Sequence, residues 1–144
     1  MDEALRYMVR ERAGYRCEYC QLPQVYAPVV CFHIAHVPAR QHGGNDDLAN
    51  LALVCPHRNR CKGPNLTSID PETATLVPLF HPRLDAWDAH FAADGVVIIG
   101  RTPTGRATLR LLRLNQVVWA NKAWPHSNLR SAMADMGRRR RRPT

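Results

Sequence analysis

Cys17-Glu-Tyr-Cys20 places two thiols two residues apart, and Cys55 follows after a further 34 residues, with Cys61 behind it. Zinc takes four soft or borderline ligands in a tetrahedron, and a two-residue spacing lets both thiolates of a pair reach one ion. The chain has five cysteines, an odd number, and opens Met-Asp-Glu without a basic segment leading into an apolar one. A secretory leader and a disulfide framework are therefore disfavoured, and metal binding is the first property to weigh. The plainer reading is a set of buried, inert cysteines.

A length of 144 residues, 45% apolar and 22% charged, suits one compact folded domain with an appended terminal piece. No apolar run approaches the roughly 20 residues of a membrane span, so a cytoplasmic protein is expected. The net charge is +8, and Arg138 to Arg142 supply five of those charges, leaving +3 elsewhere. Such a balance suggests a polyanion as partner, most simply nucleic acid; a solvated tail is the alternative. Eighteen of the twenty basic residues are arginine, the better fork for phosphate.

Hydrophobic spacing predicts a helix over 2–13, capped by Asp2, with Leu5, Met8 and Val9 on one face and Gly14 ending it. Val29 to Val37 and Leu48 to Cys55 read as strands around a polar loop, and Pro56 to Lys62 as a short helix opened by proline. Further on, Leu76 to Phe80 and Val96 to Ile99 read as strands, Asp85 to Phe91 as a helical turn joining Trp87 to Phe91, and Thr104 to Leu114 as a helix. Arg106, Arg110 and Arg113 recur on that helix at three to four residues, more simply a solvated face than a phosphate strip. A last helix is expected over Ser127 to Met136, and Trp87, Trp119 and Trp124 as packing residues.

Between the cysteines lie Phe32-His33-Ile34-Ala35-His36-Val37-Pro38, His42-Gly43-Gly44, Asn50-Leu51 and Asn59-x2-Lys62. In these residues the chain resembles the HNH endonuclease family, whose ββα-metal fold is often held between two cysteine pairs. Downstream, Leu79 to Arg83, Trp87-x2-His90-Phe91 and Gly100-x-Thr102-x2-Gly105-Arg106-Ala107-Thr108 are similar to the C-terminal part of a bacterial branch, so the resemblance runs over about 12–115. It implies an α+β fold: a small ββα-metal core framed by a cysteine zinc site, with helical and short-strand additions at both ends. The nuclease domain would span 1–115 with its core at 12–70, followed by a helical extension over 116–137 and a basic tail over 138–144.

The same resemblance implies a role for each matching residue. His36 would be the general base that activates water, a task suited to an imidazole titrating near neutrality. Asn50 would orient the loop and the base, and Asn59 would give oxygen to a catalytic divalent ion. Taken singly, a packed strand histidine and turn asparagines are the plainer readings. Two positions depart from the family. Ala35 stands where an acidic metal ligand precedes the base; His33, two residues away on the same strand face, is the candidate replacement. A donor set of His33 and Asn59 would favour Mn²⁺, Co²⁺, Ni²⁺ or Zn²⁺ over Mg²⁺. Arg58 stands where the second pair's last cysteine belongs. The structural zinc would then be held by Cys17, Cys20 and Cys55 with Cys61 first and His57 second for the fourth corner; a third possibility is no zinc at all.

Three functions follow. The leading one is a metal-dependent endonuclease on DNA, or on RNA, with phosphates held by Arg40, Arg60, Lys62 and tail residues including Arg138, Arg139 and Arg140. The second is a catalytically silent nucleic-acid-binding module, on account of Ala35. The third is a zinc-ribbon interaction domain with an incidental tail.

Overall fold

The computed structural model describes residues 1–27, 30–95 and 97–116. The helix expected over 127–136, the extension over 116–137 apart from Gln116, the arginine tail, Trp119 and Trp124 lie outside the described residues, as do Val29 and Val96.

Helix α1 (Glu3–Arg12) begins where the Asp2 carboxylate accepts from Leu5 N at 2.7 Å. Glu3 in its first turn and Arg10 and Arg12 in its last suit the helix dipole. Gly14 at φ +62° reverses the chain. Val9 is the buried residue of α1 and Leu5 packs partly, but Met8 is 46% exposed, so the apolar face is narrower than expected. Arg12 reaches across to donate to the Leu48 carbonyl at 2.7 Å and to that of Leu51, fixing α1 against the strand that follows.

Strands β1 (His33–His36) and β2 (Leu51–Val54) form an antiparallel pair, with His33 opposite Val54, Ala35 opposite Ala52 and His36 opposite Leu51. Both are shorter than expected. At the start of β2, Leu48–Asn50 turn as one 3-10 unit, because Asn50 N donates to Asp47 O at 2.8 Å rather than entering the ladder. All four residues of β2 are wholly buried, covered by α1 and by helix α2 (Pro56–Lys62) packed on the hairpin. Helix α2 has the bounds that proline at its first position and Gly63 beyond its end predict.

The outer edge of β2 meets the loop that carries Cys17 and Cys20. Glu18 N donates to Leu53 O, and Leu53 N donates to the Glu18 carboxylate at 2.8 Å. Arg83 forms an ion pair with the same carboxylate. Within that loop Cys17 N donates to Leu22 O and Gln21 N to Cys17 O, closing a turn that Gln21 completes at φ +68°.

The rest of the chain buttresses this unit. Strands β3 (Thr67–Ile69) and β4 (Leu76–Pro78) make one hairpin, and β5 (Phe91–Asp94) and β6 (Val97–Gly100) another. A single-turn helix α3 (Trp87–His90) precedes β5, and Trp87 stacks at 5.0 Å from Phe91 while donating its indole N–H to Tyr19 O. Helix α4 (Pro103–Leu111) is capped by Thr102 and crosses the two hairpins. Gly105 is obligatory there, since a Cβ would stand 2.0 Å from the His90 carbonyl. The three arginines do not line up as one helical strip, the less simple of the two readings. Arg106 is engaged by buried Asp70 at 2.9 and 3.0 Å, and α4 ends before Arg113, which turns at φ +52°. Among the described residues no helix is long and apolar enough to cross a membrane.

Candidate active site

His36 ends β1, and its Nε2 lies 2.7 Å from Asp46 Oδ1. The same oxygen accepts from Arg40 Nη2 at 2.8 Å. Hydrogen bonding from His36 and the nearby Arg40 charge hold the Asp46 carboxyl below its ordinary value, so it is an anion near neutral pH. A carboxylate only accepts, so Nε2 is the donor of this pair and Nδ1 is the ring nitrogen left for another partner. The His36 ring is 17% exposed, against 40% for Asp46 and 68% for Arg40, so the imidazole is seated and its partners reach solvent.

Asn50 is buried beneath the loop and donates its amide to Asn45 O at 2.8 Å and Pro38 O at 3.2 Å. Gly44 packs so tightly here that a Cβ would meet the Pro38 carbonyl at 1.8 Å. The loop bearing Arg40 and Asp46 is thus pinned beside His36 by a residue at the mouth of β2. Asn59 is half-buried on α2, and its amide makes no hydrogen bond among the described residues. His33 is exposed on β1, on the strand face shared with Ala35. Neither residue is joined to His36 by a bond, and Ala35 has no donor atom.

Two residues expected at phosphates, Lys62 and Arg40, have partners within the chain. Lys62 is only 5% exposed and donates its ammonium to Val37 O at 2.9 Å, bolting the end of α2 to the end of β1. Burial lowers its pKa. Arg40 is exposed but already braces Asp46. Arg60 remains exposed on α2.

Cys17, Cys20 and Cys55 are buried with their sulfur atoms all within 4.8 Å of one another, and Cys20 and Cys55 are 3.9 Å apart. That grouping could hold a metal ion. Burial pushes the Cys17 thiol up to about 12, whereas hydrogen bonds from Cys17 and Cys55, helped by the Arg58 charge, pull Cys20 well below its usual value. Cys61, expected as the fourth ligand, is not in the group; its sulfur lies 3.6 Å from His57 Nε2, and His57 is not in the group either. Helix geometry accounts for the separation. Six helical residues from Cys55 rise about 9 Å, far beyond the ~4 Å edge of a zinc-tetrathiolate tetrahedron. Arg58 instead turns inward, 3% exposed, and its Nη2 donates to the carbonyls of Leu114 at 3.3 Å and Gln116 at 2.8 Å. An arginine buried without adequate pairing costs on the order of several kcal/mol, and its Nε and Nη1 have no hydrogen-bond partner among the described residues.

Sequence reasoning missed Asp46, Glu18 and Asp70 as organising acids. The Asn-Asp-Asp run after Gly43-Gly44 was a visible sign of the first; nothing local marked the other two. The downstream motifs serve packing: His90 bonds Thr102 at 2.6 Å, and Thr108 accepts from Phe80 N at 2.9 Å.

No curated protein and no solved structure matches the chain. The model of the family described as HNH endonuclease matches residues 17–65, a span opening at Cys17 and containing the His36 loop, the β1–β2 hairpin and α2. Over residues 17–65, about a third of its length, the chain is similar to the HNH endonuclease family.

Proposed function

We propose that the chain is a divalent-metal-dependent endonuclease that hydrolyses DNA phosphodiester bonds, with β1, β2 and α2 as its ββα-metal core and His36 as general base. The pairing of His36 Nε2 with Asp46 at 2.7 Å carries this reading, because it leaves Nδ1 as proton acceptor. Nδ1 takes a proton from water as the water oxygen bonds to phosphorus. The bond from phosphorus to the leaving sugar oxygen breaks, and that oxygen departs with the electron pair and is protonated from solvent. Asp46 stays ionised and balances the imidazolium so formed.

Asn59 and His33 are the donors assigned to the divalent ion. Two neutral donors are a poor set for Mg²⁺ and a better one for Mn²⁺, Co²⁺, Ni²⁺ or Zn²⁺. When bound, such an ion neutralises charge on the scissile phosphate. Arg60 and the tail residues Arg138, Arg139 and Arg140 hold backbone phosphates, which makes affinity fall steeply with salt and gives little sequence preference.

A second reading is nucleic-acid binding without cleavage, and the absence of a carboxylate at Ala35 favours it. Supercoiled plasmid incubated with each ion in turn, beside His36→Ala, separates the two. Metal-dependent nicking that is lost in His36→Ala is the expected result. Salt-sensitive binding with no cleavage by any ion would leave the binding module, and Ala35→Glu would then be the variant to restore activity.

A further inference from the structure

Two equal spacings converge on the cysteine cluster, Cys17-x2-Cys20 and Cys55-x2-Arg58. In the first, both side chains are thiols. In the second, the partner is a guanidinium, which donates only and has no lone pair for a metal. Cys55 caps α2 and Arg58 follows three residues later, the sequence position that a second thiol of a two-residue-spaced pair would hold. Arg58 is 3% exposed, and none of the three thiols is more than 5% exposed. A structural zinc site is closed by four protein ligands. The described residues bring three thiols together, with Cys61 and His57 paired elsewhere. Water is a poor fourth ligand in so enclosed a lobe. Arg58 also does what a structural metal does, in that it joins distant parts of the chain: its Nη2 binds the carbonyls of Leu114 and Gln116, beyond α4.

We infer that Arg58 replaces the metal of this lobe: it fills the fourth-ligand corner as a fixed cation, ties α2 to the segment after α4, and leaves the cluster independent of zinc. This holds whether or not the chain cleaves DNA.

The test uses the full chain and its Arg58→Cys variant, both produced in zinc-supplemented medium and dialysed into metal-free buffer. Zinc is measured by elemental analysis, and Tm with and without EDTA. The wild type is expected to hold sub-stoichiometric zinc and keep its Tm in EDTA. Arg58→Cys is expected to hold one zinc per chain, show tetrathiolate charge-transfer bands with Co²⁺, and lose about 10 °C or more on chelation. One zinc per wild-type chain overturns the inference, and so does folded Arg58→Cys that takes up none. If Arg58→Cys is recovered only unfolded, Arg58→Ala decides, since it removes the cation and the two carbonyl contacts without adding a ligand. A Tm equal to that of the wild type would overturn the tie.

Discussion

Asp46 grips His36 through Nε2, at 2.7 Å, and leaves the opposite ring nitrogen untouched. The pair fixes one tautomer and one ring orientation. Asp46→Asn keeps the shape but can present an amide N–H to the ring, which favours the wrong tautomer. Cleavage by Asp46→Asn should fall about 100-fold or more with Tm nearly unchanged, since exposed acids contribute little to stability. Plasmid-nicking rates beside thermal melts check this, and wild-type rates in Asp46→Asn would remove Asp46 from the machinery.

Asn50 and Gly44 hold the same loop from below. Asn50→Ala removes two part-buried hydrogen bonds, to the carbonyls of Pro38 and Asn45, a loss of about 1–3 kcal/mol for the two together. Gly44→Ala forces a methyl against the Pro38 carbonyl, where the backbone has to move. Both variants should lower the denaturant midpoint and weaken cleavage together, unlike Asp46→Asn, which separates the two.

Arg60 and Lys62 stand two residues apart on α2 with opposite fates. Arg60→Ala should reduce the slope of log affinity against log salt by about 1, the signature of one lost phosphate contact. Lys62→Met should leave that slope alone and destabilise the fold, because it removes a buried donor to Val37 O. Fluorescence-anisotropy titrations over a salt series would expose an error if Lys62→Met moved the slope.

Asp70 gives the molecule an acid-labile joint. Its hydrogen bonds from Arg106, reinforced by those from Glu72 N and Thr73, hold its folded pKa well below the usual carboxylate range. The contribution is therefore complete above the unfolded pKa of about 4 and fades as pH falls through the folded value. Arg106→Gln should lower Tm at neutral pH, and the gap from wild type should shrink in strong acid. A gap that stayed constant down to about pH 2 would contradict this.

Much of the hairpin-and-helix order was legible because its signals are local. Asp2 as cap, Pro56 as helix opener and Asn50-Leu51 before an unbroken apolar run all act within a few residues of themselves. Lys62 was misread because a lysine in the last turn of a short helix ordinarily faces water; its burial depends on where β1 ends, 25 residues earlier. That Cys61 lies outside the three-thiol grouping was not legible, because helical periodicity gives the face but ignores the rise along the axis. Arg58 was visible as an oddity, yet its carbonyl partners lie 56 and 58 residues away. β3 has three residues and no alternation strong enough to distinguish it from a loop.

The reciprocal bonds between Glu18 and Leu53 have a bearing beyond the strand edge they satisfy. Glu18 is the neighbour of Cys17, and Leu53 stands two residues before Cys55. The clasp therefore sets the stagger between the two cysteine-bearing segments through one backbone bond and one bond to the Glu18 carboxylate, which Arg83 pairs in turn. The three sulfurs are thus brought within 4.8 Å of one another by bonds that lie outside the cluster, so the lobe has a frame that does not depend on what sits at the fourth corner.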